Sequence, residues 1–476
     1  AAFALVVATR LFAGELAGYF RAGAAASGAA FSLSLALVGA GQLIGLTVGM
    51  AIFAGLFIAW GIATPSLTAL HPAAGAAADV ATAVWAHQVR FIGAGAIGVA
   101  ALWSLGRLAR PVALGVASSL AAARARQSAE QLPRTERDLP IGIVTLVSVA
   151  CLVPLALLLW SFLRGGPLDP IAAPMTLAAL LYVVVAGFFV AAACGYMAGL
   201  IGSSNSPVSG LAILSVIGAA LIVLAVGHGL GHVAVLPMIA YALLVTAVLL
   251  CVATISNDNL QDLKTGQLVD ATPWRQQVAL VLGVVVGALV IPPILDLLNH
   301  AYGFGGVKGL PAPQATLISA LAKGVIGGLL DWHLIEIGAL VGAVIVAVDE
   351  LLRRRNLALP PLAVGLGIYL PISTTAPVVL GAILGWAYNR WASRQSDADR
   401  AKQLGILVAS GLIVGESLFG VVLAGIIVFS GNAAPLALVG DSFAPVANVI
   451  GTIFFIVAIG GLFRLCRTLA LSPRWR

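Results

Sequence analysis

Four stretches of the chain set polar side chains within or between long apolar runs, and each suggests a chemistry. In Gly367–Val379, "GIYLPISTTAPVV", Pro371 and Pro377 bracket Ser373, Thr374 and Thr375, with Tyr369 just ahead. Proline removes a backbone donor and frees carbonyls, so hydroxyls and carbonyls there can hold an amine or a cation. The plainer reading is a structural kink. In Gly199–Gly210, "GLIGSSNSPVSG", Ser203, Ser204, Asn205 and Ser206 precede Pro207. Proline suits the first turn of a helix, and free amide N–H groups at a helix start attract carboxylates or phosphates. An ordinary short turn is the competing reading.

Glu416 stands alone in "ASGLIVGESLFG" (Ala409–Gly420), the middle of an apolar run. A carboxyl buried there faces a cavity or binds a proton, which makes Glu416 the candidate for proton coupling. The alternative is a hydrogen-bonded structural acid. The fourth stretch, Thr254–Gln277, concentrates Asn257, Asp258, Asn259, Gln261, Asp262 and Lys264 between two apolar runs. A gate or substrate-facing loop would need such groups, and so would a solvated cytoplasmic loop. His333 and Glu336 in "DWHLIE" have a spacing that suits a metal, but no further ligands lie nearby in sequence. Accordingly no metal site and no cofactor are expected. Cys151, Cys194, Cys251 and Cys466 sit far apart in apolar segments and read as small core residues.

The elements that must position these groups follow from composition. The chain is 61% hydrophobic and 9% charged, whereas soluble domains carry about 25% charged residues. Apolar runs of about 20 residues cross a bilayer as helices. Such runs fall near 33–63, 90–106, 140–163, 174–200, 208–227, 233–254, 275–298, 314–348, 362–386, 403–429 and 446–465. The expected fold is all-α: a polytopic integral membrane protein of about 11–12 spans or re-entrant segments, in the inner (plasma) membrane. The net charge of +7 resides mostly in loop arginines. That fits the cytoplasmic excess of positive residues and not a nucleic-acid-binding face.

Arginines at 107, 110, 124, 126, 134 and 137, the Arg353–Arg355 run, the Arg390–Lys402 stretch and the C-terminal tail mark cytoplasmic segments. Loops 64–89, 228–236, 299–313 and 430–445 are poor in Lys and Arg and are placed outside. Both flanks of 362–386 then come out cytoplasmic. That segment should enter and return, with Pro371 to Pro377 as its tip, against protein or a water-filled cavity.

A repeat appears when Val38–Trp60 is set over Val364–Trp386. Val38/Val364, Gly39/Gly365, Gly41/Gly367, Gly55/Gly381 and Trp60/Trp386 coincide without a gap at a constant offset of 326. The expectation is two repeated halves, the first truncated: residues 1–139 as the remainder of an N-terminal half-bundle with a cytoplasmic linker at 107–139, and 140–476 as the C-terminal half-bundle. The loops after Trp60 and Trp386 fall on opposite sides, so either the halves are inverted or the positive-inside count misleads at one of them.

Several stretches together resemble the bacterial branch of the oligopeptide transporter (OPT) superfamily, which is related to yellow-stripe-like metal-chelate transporters. They are Arg134–Pro140, Gly202–Gly210, Ser256–Asn299, Val364–Trp386 and Ala409–Gly420. The resemblance implies a secondary transporter of two related halves, usually driven by proton symport, whose members carry small peptides, glutathione-type compounds or metal chelates. The Asn-Pro-Gly signature of the eukaryotic peptide carriers is missing.

The expected function is therefore proton-coupled symport of small oligopeptides or related zwitterionic solutes, with metal-chelate transport as the alternative. Candidate substrate contacts are Ser203, Ser204, Asn205, Ser206, Tyr369, Ser373, Thr374 and Thr375. The partners are the small-molecule or peptide substrate, protons and the lipid bilayer; a homodimer is an arrangement the sequence leaves open. A membrane enzyme is a distant alternative, because no nucleophile–base pair or metal-ligand spacing is evident.

Overall fold

The computed structural model describes residues 1–104, 106–107, 133–201, 208–231, 234–304, 310, 312–328 and 332–471. Most of the 107–139 linker and all of Ser203–Ser206 lie outside these. The architecture is helical, as the composition requires, and eight helices among the described residues are long and apolar enough to cross a membrane. The chain divides into two compact units: residues 1–100, 293–311 and 332–476 form one, and residues 101–292 and 312–331 the other.

The second unit is built from α6 (Ile141–Leu163), α7 (Ala172–Ile201), α8 (Val208–Gly229), α9 (Val235–Leu268), most of α10 (Pro273–Tyr302) and α11 (Pro313–Gly327). Its core is a seam of α7, α8 and α9 around Met175, Val216, Tyr241 and Leu249, all fully buried. Two expectations change here. Residues 314–348 are not one span: α11 ends at Gly328, whose φ of 63° only glycine adopts cheaply, and α12 (Trp332–Arg353) starts afresh in the other unit. The polar stretch from Thr254 is not a loop either. Helix α9 carries it to Leu268, because Asn, Asp, Gln and Lys scattered among leucines do not break a helix that tertiary packing supports.

The first unit opens with α1 (Ala2–Ala8) and an antiparallel hairpin, β1 (Glu15–Ala22) and β2 (Ala25–Ser32), which the apolar patterning did not announce. The turn has two residues, and Gly23 takes its positive φ of 63°. Ala26 and Ala30 of β2 are buried, whereas most of β1 is exposed. Gly28 is the partner of Tyr19, and a Cβ there would collide with the Tyr19 ring.

Next come α2 (Leu35–Phe57), a π-helical stretch (Ile58–Ala63), α3 (Thr64–Leu70), α4 (Ala77–Val84), a second π-helical stretch (Trp85–Val89) and α5 (90–104). After α12, the unit is completed by α13 (Pro361–Tyr369), α14 (Ile372–Ala392), α15 (Ala398–Ser430) and α16 (Ala444–Leu471). Helix α12 meets α5 through Gly338 and Gly342, where a Cβ would strike the backbone of Ile92 and Ala96. Small residues four apart permit such close crossings.

Helix α2 is broken at Gly45 (φ 80°, ψ 169°). Gly41 and Gly49 stand on either side of that break, yet both lie against Ala382. Residues eight apart on a straight helix are about 12 Å apart along the axis, so the chain turns back at Gly45. The second break comes at Leu370 and Pro371, both extended, between α13 and α14. Val364 and Val379 flank it and share one cluster with Ala51 and Ile52, so the segments on both sides of this break pack on α2. Pro377 is not part of the tip: it sits inside α14, at the sixth residue, where it removes the helical donor to the Ser373 carbonyl.

Cys194 and Cys466 are buried as expected, but Cys151 and Cys251 are exposed on the outer faces of α6 and α9. An apolar residue of a membrane helix can face lipid as readily as core.

Candidate functional site

The two broken segments pack on each other through glycine. A Cβ on Gly41 would meet the carbonyl of Val378, and one on Gly367 the carbonyl of Ile52; Gly55 abuts the carbonyl of Val364, and Gly381 that of Val38. Each contact has its mate at the 326-residue offset. Exchanging the two copies therefore leaves these contacts unchanged, as a two-fold rotation would. Gly45 and Pro371 also coincide at this offset, so both copies break at one position.

Around the Pro371 tip lies a polar and aromatic cluster. Trp60 and Trp85 stack with ring centroids 6.0 Å apart; both belong to π-helical stretches, which recur at functional sites. Trp85 donates through Nε1 to the carbonyl of Ile368 at 3.3 Å, a group whose normal helical donor the break removes. Arg90 donates through Nη2 to the Tyr369 hydroxyl at 3.0 Å, and its guanidinium lies over the rings of Tyr369 (4.6 Å) and Trp85 (5.3 Å). Ser27 of β2 donates to the carbonyl of Trp60 at 2.5 Å. Buried and without a partner among the described residues are Trp60 Nε1, Thr64 Oγ1 and Arg90 Nε.

Of the predicted contacts, the structure brings Tyr369 into this cluster, buried at 3% exposure. Thr374 and Thr375 donate their hydroxyls to the Pro371 carbonyl at 2.9 and 3.0 Å, satisfying the break from within. Ser373 makes no such bond and is half-buried. Trp85 and Arg90 were not singled out from sequence, and Trp60 only as a matched position of the repeat. Arg90 did leave a signal, as a charge at the start of an apolar run.

Glu416 lies at the other end of the first half of α2. Its carboxylate accepts from the Ser34 hydroxyl at 2.6 Å and from the Ala36 N–H at 3.0 Å. Ser34 in turn caps α2 by accepting from the N–H of Leu37. A carboxylate there also meets the positive end of the helix dipole. Glu416 is thus tied across 382 residues to the segment that breaks at Gly45.

In the second unit, Asn257 is buried at 9% exposure; its Oδ1 and the Nε2 of Gln261, one turn on, have no partner among the described residues. Asp258, Asp262 and Lys264 are exposed, and Asn259 is half-buried. The Asp262 carbonyl accepts from Gln276, and Lys264 donates to Gln267 at 2.9 Å. His333 and Glu336 both lie exposed on α12.

Apolar spans interrupted by two duplicated, glycine-packed helix breaks define a polytopic membrane transporter, since such proteins bind cargo where broken helices of repeated halves meet. The OPT oligopeptide transporter protein family matches residues 2–427. A curated Haemophilus influenzae protein named "Putative oligopeptide transporter" is 40% identical over 94% of this chain and 75% of its own length. The chain belongs to the OPT family. It is also 30% identical, over 36% of its length and 26% of the other's, to a rice protein named "Probable metal-nicotianamine transporter YSL10". A Saccharomyces cerevisiae relative, "Putative oligopeptide transporter YGL114W", is 30% identical over 35% of this chain and 24% of its own. No solved structure gives a significant match.

Proposed function

We propose that this chain is a proton-coupled importer of small peptides or related zwitterionic solutes. The observation that carries the reading is the pair of duplicated helix breaks, one with a buried polar cluster at its tip and the other tied through α2 to a lone membrane carboxyl. Glu416 is the proton site in this scheme. Ionised, both carboxylate oxygens accept, from Ser34 and Ala36. Protonated, one oxygen becomes a hydroxyl and a poor acceptor, so one of the two ties between α15 and the α2 start weakens. Binding a proton thereby loosens the segment that must move. Each charge carried inward across 100 mV contributes about 2.3 kcal/mol to uptake.

The test is uptake of labelled dipeptides and tripeptides into proteoliposomes holding the purified chain, with and without an inward proton gradient. Accumulation above the external concentration that collapses with a protonophore supports the reading; equilibration without accumulation refutes symport. Metal-chelate import is the second reading, favoured by the similarity to the plant protein named for metal–nicotianamine. Ferric nicotianamine in the same assay decides between them.

A further inference from the structure

We infer that Arg90 receives a carboxylate of the cargo at the Pro371 tip. This inference rests on the transporter reading above and assigns the chemistry of one end of its substrate. Arg90 lies in a region of apolar helices, and a charge in such a place is normally paired. Among the described residues it has no carboxylate partner: its contacts are the Tyr369 hydroxyl and the faces of Tyr369 and Trp85. Tyr369 occupies Nη2, and the aromatic faces cover the guanidinium plane. Buried Nε keeps an unused donor. A carboxylate binds the planar fork of arginine with two parallel N–H···O bonds, and an Nε edge is one of the places where that pairing is made.

The neighbourhood is arranged for an anion in two further respects. Helix α14 starts at Ile372; the Pro371 carbonyl accepts from the N–H groups of Thr374 and Thr375, while those of Ile372 and Ser373 face the break. In addition, Trp60 Nε1 is a second buried donor without a partner, stacked on the Trp85 ring that Arg90 overlies. The repeat does not duplicate this device: Leu43 stands where Tyr369 does, at the 326-residue offset. The cargo's carboxylate is therefore read at one tip only. A peptide C-terminus and the carboxylates of a metal chelate offer the same chemistry, so the inference holds for both.

The experiment measures binding and uptake separately on the full chain in lipid nanodiscs and proteoliposomes. Dialanine, its C-terminal amide and ferric nicotianamine are the probes, with quenching of tryptophan fluorescence reporting binding. Wild type should bind at least one carboxylate probe, and Arg90→Gln should weaken that binding about tenfold or more. For dialanine, the preference over its amide should vanish. Arg90→Lys keeps the charge without the fork and should fall between, so it also serves if the glutamine variant does not fold. An Arg90→Gln protein that folds and binds carboxylates as wild type does, or a wild type that binds none of the probes, overturns the inference. Carboxylate-dependent binding without accumulation would retain the Arg90 site and refute the symport reading instead. Loss of ferric nicotianamine binding alone would identify the chelate, and loss of dialanine binding alone the peptide.

Discussion

Gly45 and Pro371 are the same position of a duplicated segment, and at each the helix is interrupted. The two residues achieve this by different physics. Gly45 takes a positive φ that side chains resist. Pro371 removes the donor that would continue the helix and pushes Leu370 into the extended region. Gly45→Ala should destabilise by about 1–2 kcal/mol, and it should lower uptake more than its melting shift explains. Thermal melting and proteoliposome uptake on the same preparation measure both. Uptake at wild-type level would show that the α2 tip plays no part in transport.

The glycine contacts across the duplicated pair are expected to be equivalent in energy as well as geometry. Gly41→Ala and Gly367→Ala each drive a methyl into a backbone carbonyl, and backbone cannot step aside as a side chain can. Each should cost about 1–3 kcal/mol, in similar measure. A mild effect at one site and a severe one at the other, seen in detergent melting curves, would contradict the symmetric packing.

The distribution of arginines makes a topological prediction. Cysteines placed at Ala74 and Ser396, in a background without native cysteines, should label with a membrane-impermeant maleimide from opposite sides. Ala74 should react in intact cells and Ser396 only in inverted vesicles. Labelling of both from one side would mean that the positive-inside count misleads at one of the two loops.

Glu416→Gln keeps the size of the side chain and one good acceptor. It should leave folding nearly intact and abolish the dependence of uptake on the proton gradient. Ser34→Ala removes one tie without touching the carboxyl; it should cost about 1 kcal/mol as a lost cap while leaving the pH dependence in place. Uptake by the glutamine variant that still follows the imposed gradient would assign Glu416 a structural role.

Asp349, 1% exposed, accepts from Arg353 Nε at 2.7 Å and from the N–H of Leu359 at 2.8 Å. It thereby anchors the approach to α13 before the tip. Asp349→Ala leaves the Leu359 N–H and the half-exposed guanidinium without that acceptor, at a cost of about 1–3 kcal/mol. Circular dichroism melting should register the loss, and an unchanged midpoint would remove Asp349 from the framework.

Local chemistry made much of this legible in advance. Long runs without charge have to be membrane helices, because nothing else satisfies their backbone in lipid. Proline and hydroxyls at Pro371–Thr375 marked a break, and matching glycines disclosed the duplication, since close helix crossings exclude every larger residue. None of these patterns carries information about which distant groups meet. That Gly45, an unremarkable glycine in an apolar run, would be a second tip depended on Gly41 and Gly49, on either side of it, both packing against Ala382. That Arg90 would lie over Tyr369, 279 residues away, depended on how α5 crosses α13. Glu416 was conspicuous by its charge, yet its partners Ser34 and Ala36 became neighbours only when α15 packed on α2. Period, propensity and polarity act over a few residues. Contacts between remote groups are decided by the packing of whole helices, and that is a property of the folded chain.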